Sequence, residues 1–198
     1  MKAFWFCLFF VKFYSLQAAS IPNKFENIDS LSAQKNYFII AEYQRLKSTH
    51  SSIFNGFDLV FAKKLSTPNT LGIGIEYSYA SFHGDNGYNL YNLSFIPIFI
   101  DYRHYFFDDK KLNPFVIANV GYTFAGYDEE EDDKPSTRHR VKEGGVYLAG
   151  AIGLKYKICK NISSMISVGF KGFHNSFNNL DVNPHGIVMR TGFSYHFK

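Results

Sequence analysis

The 198-residue sequence lacks the apolar run that a membrane-spanning helix requires. Such a helix needs about 20 consecutive apolar residues, whereas the longest uninterrupted apolar stretch is residues 3–11. Charged residues are also scarce, at 19%, and aromatic residues make up another 19%. This combination excludes a disordered chain. The formal net charge of +4 is too small to indicate a nucleic-acid partner.

Cysteine is nearly absent, with Cys7 and Cys159 as the two examples. Residues 1–20 combine a basic start, a short apolar core and small residues at the end, which is the pattern of a cleaved signal peptide. Cleavage removes Cys7 and leaves Cys159 alone, so an intrachain disulfide is excluded. We therefore expect an exported chain in which residues 21–36 form a short periplasmic leader and residues 37–198 form one folded domain.

Apolar and polar residues alternate with a period of two through most of this domain. In residues 71–79, for example, apolar side chains occupy every odd position. Alternation over about 10 residues is typical of a tilted membrane strand. Strands of this kind are predicted at residues 37–46, 56–65, 71–83, 90–106, 113–126, 144–158, 162–175 and 185–197. Pro97 lies inside one of them and cannot donate to a strand ladder, so we expect a β-bulge there.

The connections between these segments alternate in length. Tight turns are predicted at residues 66–70, 107–112 and 159–161. More polar and mostly longer connections are predicted at residues 47–55, 84–89, 127–143 and 176–184. Every second connection of an antiparallel up-and-down barrel lies on the same side. The alternation therefore predicts short periplasmic turns and long external loops.

The two faces of the predicted strands differ in polarity. The more apolar face carries Ile39, Phe57, Leu59, Phe61, Ile73, Ile75, Ile96, Ile98, Ile100, Val116, Val120, Leu148, Ile152, Leu154, Val168, Phe170, Met189, Phe193 and Phe197. The other face carries four acids and four bases, namely Glu42, Asp58, Glu76, Asp101, Arg103, Lys155, Lys171 and Arg190. A soluble, lipocalin-like barrel would bury the apolar face and expose few large apolar residues, which this pattern contradicts.

We therefore predict an all-β fold, an eight-stranded antiparallel up-and-down transmembrane β-barrel whose apolar face contacts lipid. Its eight charged residues are expected to pair in a narrow polar lumen, around Glu76, Asp101, Arg103 and Arg190. Eight strands leave room for side chains and little else, so an open pore is not expected.

The C-terminal residues 190–197 resemble the β-signal that ends bacterial outer-membrane proteins, through Gly192, Tyr195 and Phe197. Residues 101–122 resemble the central hairpin of small opacity-type and OmpA/OmpX-like barrels. The resemblance implies a monomer in a Gram-negative outer membrane, inserted by the barrel-assembly machinery and surrounded by outer-membrane lipid and lipopolysaccharide. It implies a structural or surface-interaction role through the external loops, with no cofactor.

A second, local resemblance opens an enzymatic alternative. His174 and Ser176 share the outward face of one strand, and a histidine beside a serine can activate it for acyl transfer when a third group orients the imidazole. The surrounding residues 173–187 resemble the PagL-type lipid A deacylases, which carry a Ser-His-Glu triad outside an eight-stranded barrel. The Asn and Glu positions of that family are occupied by Phe177 and Val188.

The run from Asp128 to Asp133 contains six consecutive carboxylates, and basic residues follow it. We expect a mobile external loop, 127–143, with a hairpin of opposite charges. The alternative is a docking site for a basic extracellular partner or for divalent cations near lipopolysaccharide. The run lacks the Gly and the alternation of a calcium-binding loop, so no dedicated metal site is predicted.

Overall fold

The structure is a computed structural model that describes residues 36–49, 52–66, 68–85, 88–107, 110–131, 134–174 and 183–197. The predicted signal peptide, and all of the predicted leader except Asn36, lie outside these residues. The described part contains no helix long and apolar enough to cross a membrane.

Eight strands form one closed barrel in which each strand pairs with its neighbours in the sequence. Their bounds are β1 Tyr37–Ser48, β2 Ile53–Ser66, β3 Asn69–Asp85, β4 Tyr88–Tyr105, β5 Leu112–Glu131, β6 Lys134–Lys157, β7 Ile162–His174 and β8 His185–His196. All pairs are antiparallel, including the pairing of β8 with β1 that closes the sheet. The predicted fold class and strand number are therefore confirmed.

At one end of the barrel the strands extend further than predicted, so most of the connections there are short. We call the end that carries residues 49–52, 86–87, 132–133 and 175–184 the loop side. The predicted hairpin of opposite charges at 127–143 is confirmed, but its loop character was wrong, because β5 continues to Glu131 and β6 begins at Lys134. Cross-strand pairs of opposite charge stabilise a sheet, and Asp128 lies opposite Arg140 in this extension.

The predicted bulge at Pro97 was also wrong. Pro97 lies opposite Thr123 within an unshifted stretch of the β4–β5 register. The register shifts instead between Tyr91 and Ser94, where Asn92 has a φ of 52°. Asparagine adopts this left-handed conformation more readily than most residues, which suits it to a bulge. A proline only removes one ladder hydrogen bond, so a strand can include it without an extra residue.

Side chains alternate between a lipid-type exterior and a packed interior. The exterior is a belt of exposed aliphatic and aromatic residues, in which Ile73 is 67% exposed and Ile152 is 64% exposed. Seven of the eight charged residues predicted for the lumen are buried, and Lys155 is half-buried on the same inner face. The exterior is therefore apolar, and the charged residues lie inside together with apolar side chains, whereas a soluble barrel keeps its charges outside.

Candidate functional site

Arg103 is the centre of the first ion-pair group inside the barrel. Its Nη2 lies 2.7 Å from Oε2 of Glu42, and its Nε lies 2.8 Å from Oδ1 of Asp101. Asp101 and Arg103 are two residues apart on β4 and so share its inner face, while Glu42 comes from β1. The guanidinium thus links two strands that are distant in the sequence through charge-assisted hydrogen bonds.

Lys171 is the centre of the second group. Its Nζ lies 2.5 Å from Oε1 of Glu76 and 3.0 Å from Oε1 of Gln44. Glu76 also accepts hydrogen bonds from the hydroxyls of Tyr147, at 3.2 Å, and of Ser78. The buried carboxylate of Glu76 is therefore satisfied from three sides, which is the condition under which a buried charge is tolerated.

The three remaining charged residues of the lumen are bonded differently. Arg190 is 2% exposed, yet its three guanidinium nitrogens have no hydrogen-bond partner among the described residues. Asp58 lies between Glu42 and Glu76 in the strand register, and its Oδ2 accepts a hydrogen bond from Gln44 at 3.4 Å. The Nζ of Lys155 lies 4.7 Å from the centroid of the Tyr105 ring. Arg190 therefore lies in the lumen without joining either hydrogen-bonded group.

Aromatic side chains fill the interior on the loop side of these groups. The Phe95 and Phe173 rings stack with centroids 4.8 Å apart, Phe54 packs edge-on against Phe95, and Tyr147 packs against both Phe173 and Phe99. These rings were not among the residues singled out from the sequence. The sequence could have identified them, because each ring lies at an alternate position of its strand that faces the barrel interior. The interior is therefore occupied by aromatic packing as well as by ion pairs.

On the loop side, the extended β5–β6 hairpin carries a separate set of charges. Oδ1 of Asp128 lies 3.1 Å from Nη1 of Arg140, and its Oδ2 accepts a hydrogen bond from Asn92 at 2.8 Å. These hydrogen bonds, first from Asn92 and then from Arg140, hold the pKa of Asp128 below its ordinary value. The Arg138 guanidinium lies 4.1 Å from the centroid of the Tyr91 ring. The start of the acidic run is therefore occupied by partners from the same chain.

The residues of the enzymatic alternative are only partly described. His174 is exposed on the outer face at the loop-side end of β7. Ser176 and Phe177 lie outside the described residues. Val188 is fully buried inside the barrel, so its position could not orient an imidazole on the outer face. Among the described residues, no group of three His, Cys, Asp or Glu side chains is placed to hold a metal ion.

The C-terminal motif lies on the strand that closes the barrel. Tyr195 points outward and packs edge-on against Phe197, with centroids 5.1 Å apart. Gly192 lies on the inner face opposite Glu42 of β1. The motif therefore combines two exterior aromatic rings with an interior position that has no side chain.

The closed eight-strand sheet, the apolar belt and the buried ion pairs together define the fold of a small outer-membrane β-barrel. No family model and no curated protein matches the chain. Neisserial surface protein A is similar in structure, with a TM-score of 0.57 and 10% identity over 82% of this chain and 97% of that one. A major outer membrane protein of Thermus thermophilus gives a TM-score of 0.51 and 10% identity, over 81% and 99%. At these identities the likeness shows the fold.

Proposed function

We propose that the protein is an integral outer-membrane barrel with a closed interior, which makes contacts at the cell surface through its β5–β6 hairpin. The observation that carries the surface role is the charge that the hairpin exposes on β6. The side chains of Arg138 and Arg140 are 44% and 45% exposed at the loop-side end of this strand. Charged side chains on a surface steer and orient charged partners.

The proposal of a closed interior is supported by the ion pairs and aromatic rings that fill the lumen. The Arg103 and Lys171 groups cross the lumen from different strands, and the aromatic rings of Phe95, Phe173 and Tyr147 pack above them. Planar-bilayer recording of the purified protein should therefore show no stable conductance. Large, steady channels would contradict the closed interior.

The surface role is tested by shortening the hairpin. Residues 128–141 are replaced by a two-residue turn, and cells that express each form are tested for adhesion to polyanion-coated and polycation-coated glass. We expect the shortened protein to keep its heat-dependent gel shift and to lose adhesion. Unchanged adhesion on both surfaces would contradict the proposal.

Charge reversal gives a matched pair of variants on one strand. Lys142 is exposed on the loop-side half of β6, whereas Lys157 is exposed at the other end of the same strand. Lys142→Glu should change adhesion to the charged surfaces, and Lys157→Glu should leave it unchanged. Equal effects of the two variants would show that net charge, and not the hairpin, governs adhesion.

Acyl-ester hydrolysis remains the second candidate, supported by the exposed position of His174 at the loop-side rim. Mass spectrometry of lipid A from cells with and without the gene tests it. Loss of one acyl chain that requires both His174 and Ser176 would establish the enzyme and displace the non-enzymatic role. Lipid A of unchanged mass would end the alternative.

A further inference from the structure

The lipid-type exterior contains a groove of about 1160 Å³ on the wall formed by β4 to β7 and the start of β8. This volume lies slightly above the range of small-molecule pockets, which is roughly 300–1,000 Å³. Elsewhere on the belt large side chains project outward, as at Ile73 and Phe193. The groove is therefore a local recess beside large outward-facing side chains.

Three small residues form the recess. Ala118 lies directly opposite Gly150 in the β5–β6 register, and Gly172 lies opposite Leu148 in the β6–β7 register. A Cβ atom added to Gly150 would meet nothing closer than the carbonyl oxygen of Ile117, at 3.9 Å. The space above Gly150 is therefore open, and a side chain there would project into the groove rather than into the barrel wall.

The groove changes character at its loop-side end. His174, Asn183 and His185 line that end, whereas Gly150 and Phe170 line the part within the belt. The imidazole of His185 is held at both ring nitrogens, because its Nδ1 lies 2.8 Å from the carbonyl oxygen of Asn183 and its Nε2 lies 3.4 Å from Oγ1 of Thr49. An apolar recess with polar side chains at one end fits a ligand with an apolar tail and a polar head.

We propose that this groove binds one acylated, phosphorylated lipid of the leaflet at the loop side, with an acyl chain over Gly150 and the polar head at His174 and Asn183. The groove is continuous with a face that contacts lipid, so an acyl chain is the material that fills it in the membrane. An imidazole and a side-chain amide can donate hydrogen bonds to phosphate oxygens. The lipid site is independent of the surface contacts proposed for the hairpin.

The test uses the purified full-length barrel in detergent, diphosphoryl lipid A as the probe, and native mass spectrometry to count retained lipid. Wild-type protein should retain one lipid molecule. Gly150→Leu fills the groove and should weaken retention at least tenfold. Ala41 also points outward, on β1 away from the groove, so Ala41→Leu is the matched control and should retain lipid as the wild type does.

The heat-dependent gel shift verifies that each variant is folded. Equal retention by wild type and Gly150→Leu would overturn the proposal, as would equal losses in Gly150→Leu and Ala41→Leu. A dimer in place of the lipid adduct, abolished by Gly150→Leu, would overturn it in favour of a second copy of the chain.

The polar end is tested separately with monophosphoryl lipid A. The double variant His174→Ala, Asn183→Ala should reduce the preference for two phosphates over one. An unchanged preference would overturn the assignment of the head to these two side chains. A lipid adduct that lacks one acyl chain would report hydrolysis in the same spectrum, so binding and the enzymatic alternative are read independently.

Discussion

The same barrel places one kind of ion pair in two environments. In the lumen, Arg103 is bonded to Glu42 and Asp101, and all three side chains are at most 1% exposed. On the hairpin, Arg140 is bonded to Asp128, and the two side chains are 45% and 24% exposed. The distances are similar, at 2.7 Å to 2.8 Å inside and 3.1 Å outside. Geometry alone would therefore assign them similar importance.

The environments predict different consequences when one partner is lost. Inside, the remaining charges are at most 1% exposed, so solvent replaces the missing partner poorly and they keep most of their desolvation penalty. Outside, water and salt replace the partner, and such pairs contribute little to stability. The ion pairs of the lumen therefore determine whether the barrel is stable, whereas those of the hairpin shape a surface.

The largest effect is expected for Arg103→Met, which leaves Glu42 and Asp101 buried without a cation. The free energy of unfolding should fall by about 3–5 kcal/mol, as for other buried pairs that lose one member. Urea titration in lipid vesicles, followed by the heat-dependent gel shift, measures it. The triple variant with Glu42→Gln and Asp101→Asn should recover most of the loss. A loss below about 1 kcal/mol would contradict the contrast between the two environments.

A smaller loss is expected for Lys171→Met. Glu76 would lose its cation but keep the hydrogen bonds from Tyr147 and Ser78. The free energy of unfolding should therefore fall by about 2–3 kcal/mol. The same titration measures it, and Tyr147→Phe added to Lys171→Met should deepen the loss. If the double variant is no less stable than Lys171→Met alone, the Tyr147 hydroxyl does not stabilise the Glu76 carboxylate.

The variant Arg190→Met tests whether burial or hydrogen bonding of a lumen charge determines its effect on stability. Arg190 is as deeply buried as Arg103 but makes no hydrogen bond to the described residues. Its loss removes a positive charge near Asp58 but also removes the desolvation penalty of three unbonded guanidinium nitrogens, so we expect the free energy of unfolding to change by less than about 1 kcal/mol. A decrease as large as that of Arg103→Met would show that depth in the lumen, and not bonding, sets the effect.

Substitutions in the β5–β6 hairpin should change the stability of the barrel least, and their effects should be confined to the hairpin. Arg140→Ala should leave the urea midpoint of the barrel unchanged. The pKa of Asp128 is lowered in the folded state by its bonds from Asn92 and Arg140. Its contribution is therefore complete above the ordinary carboxyl pKa, near about 4, and is lost as pH falls through the lowered value. Amide chemical shifts of residues 126–131 should follow this loss, and Asp128→Asn should abolish it.

The strands and their faces were predictable because alternation with period two is a local property of the sequence. The bonded partners were not. Glu42 and Arg103 are 61 residues apart, and only the closed register brings them together. The groove has the same origin, because Ala118, Gly150 and Gly172 become neighbours only through the pairing of β5, β6 and β7. The hairpin of opposite charges was predicted, but its continuous strand pairing was missed, because a dense run of charges is usual in loops.

The seam between β1 and β8 joins the first strand of the barrel to the last, so it can form only after the whole chain is available. Added Cβ atoms at Gly186 and Gly192 would collide with the β1 carbonyl oxygens of Lys47 and Ala41. A single methyl group at either position would therefore hold β8 away from β1 and prevent the closing pair of strands from forming. Gly192→Ala would obstruct closure of the sheet even if the C-terminal motif were recognised normally. A defect of this variant in membrane assembly would therefore show a steric block at the β1–β8 seam, and not a failure to recognise the motif.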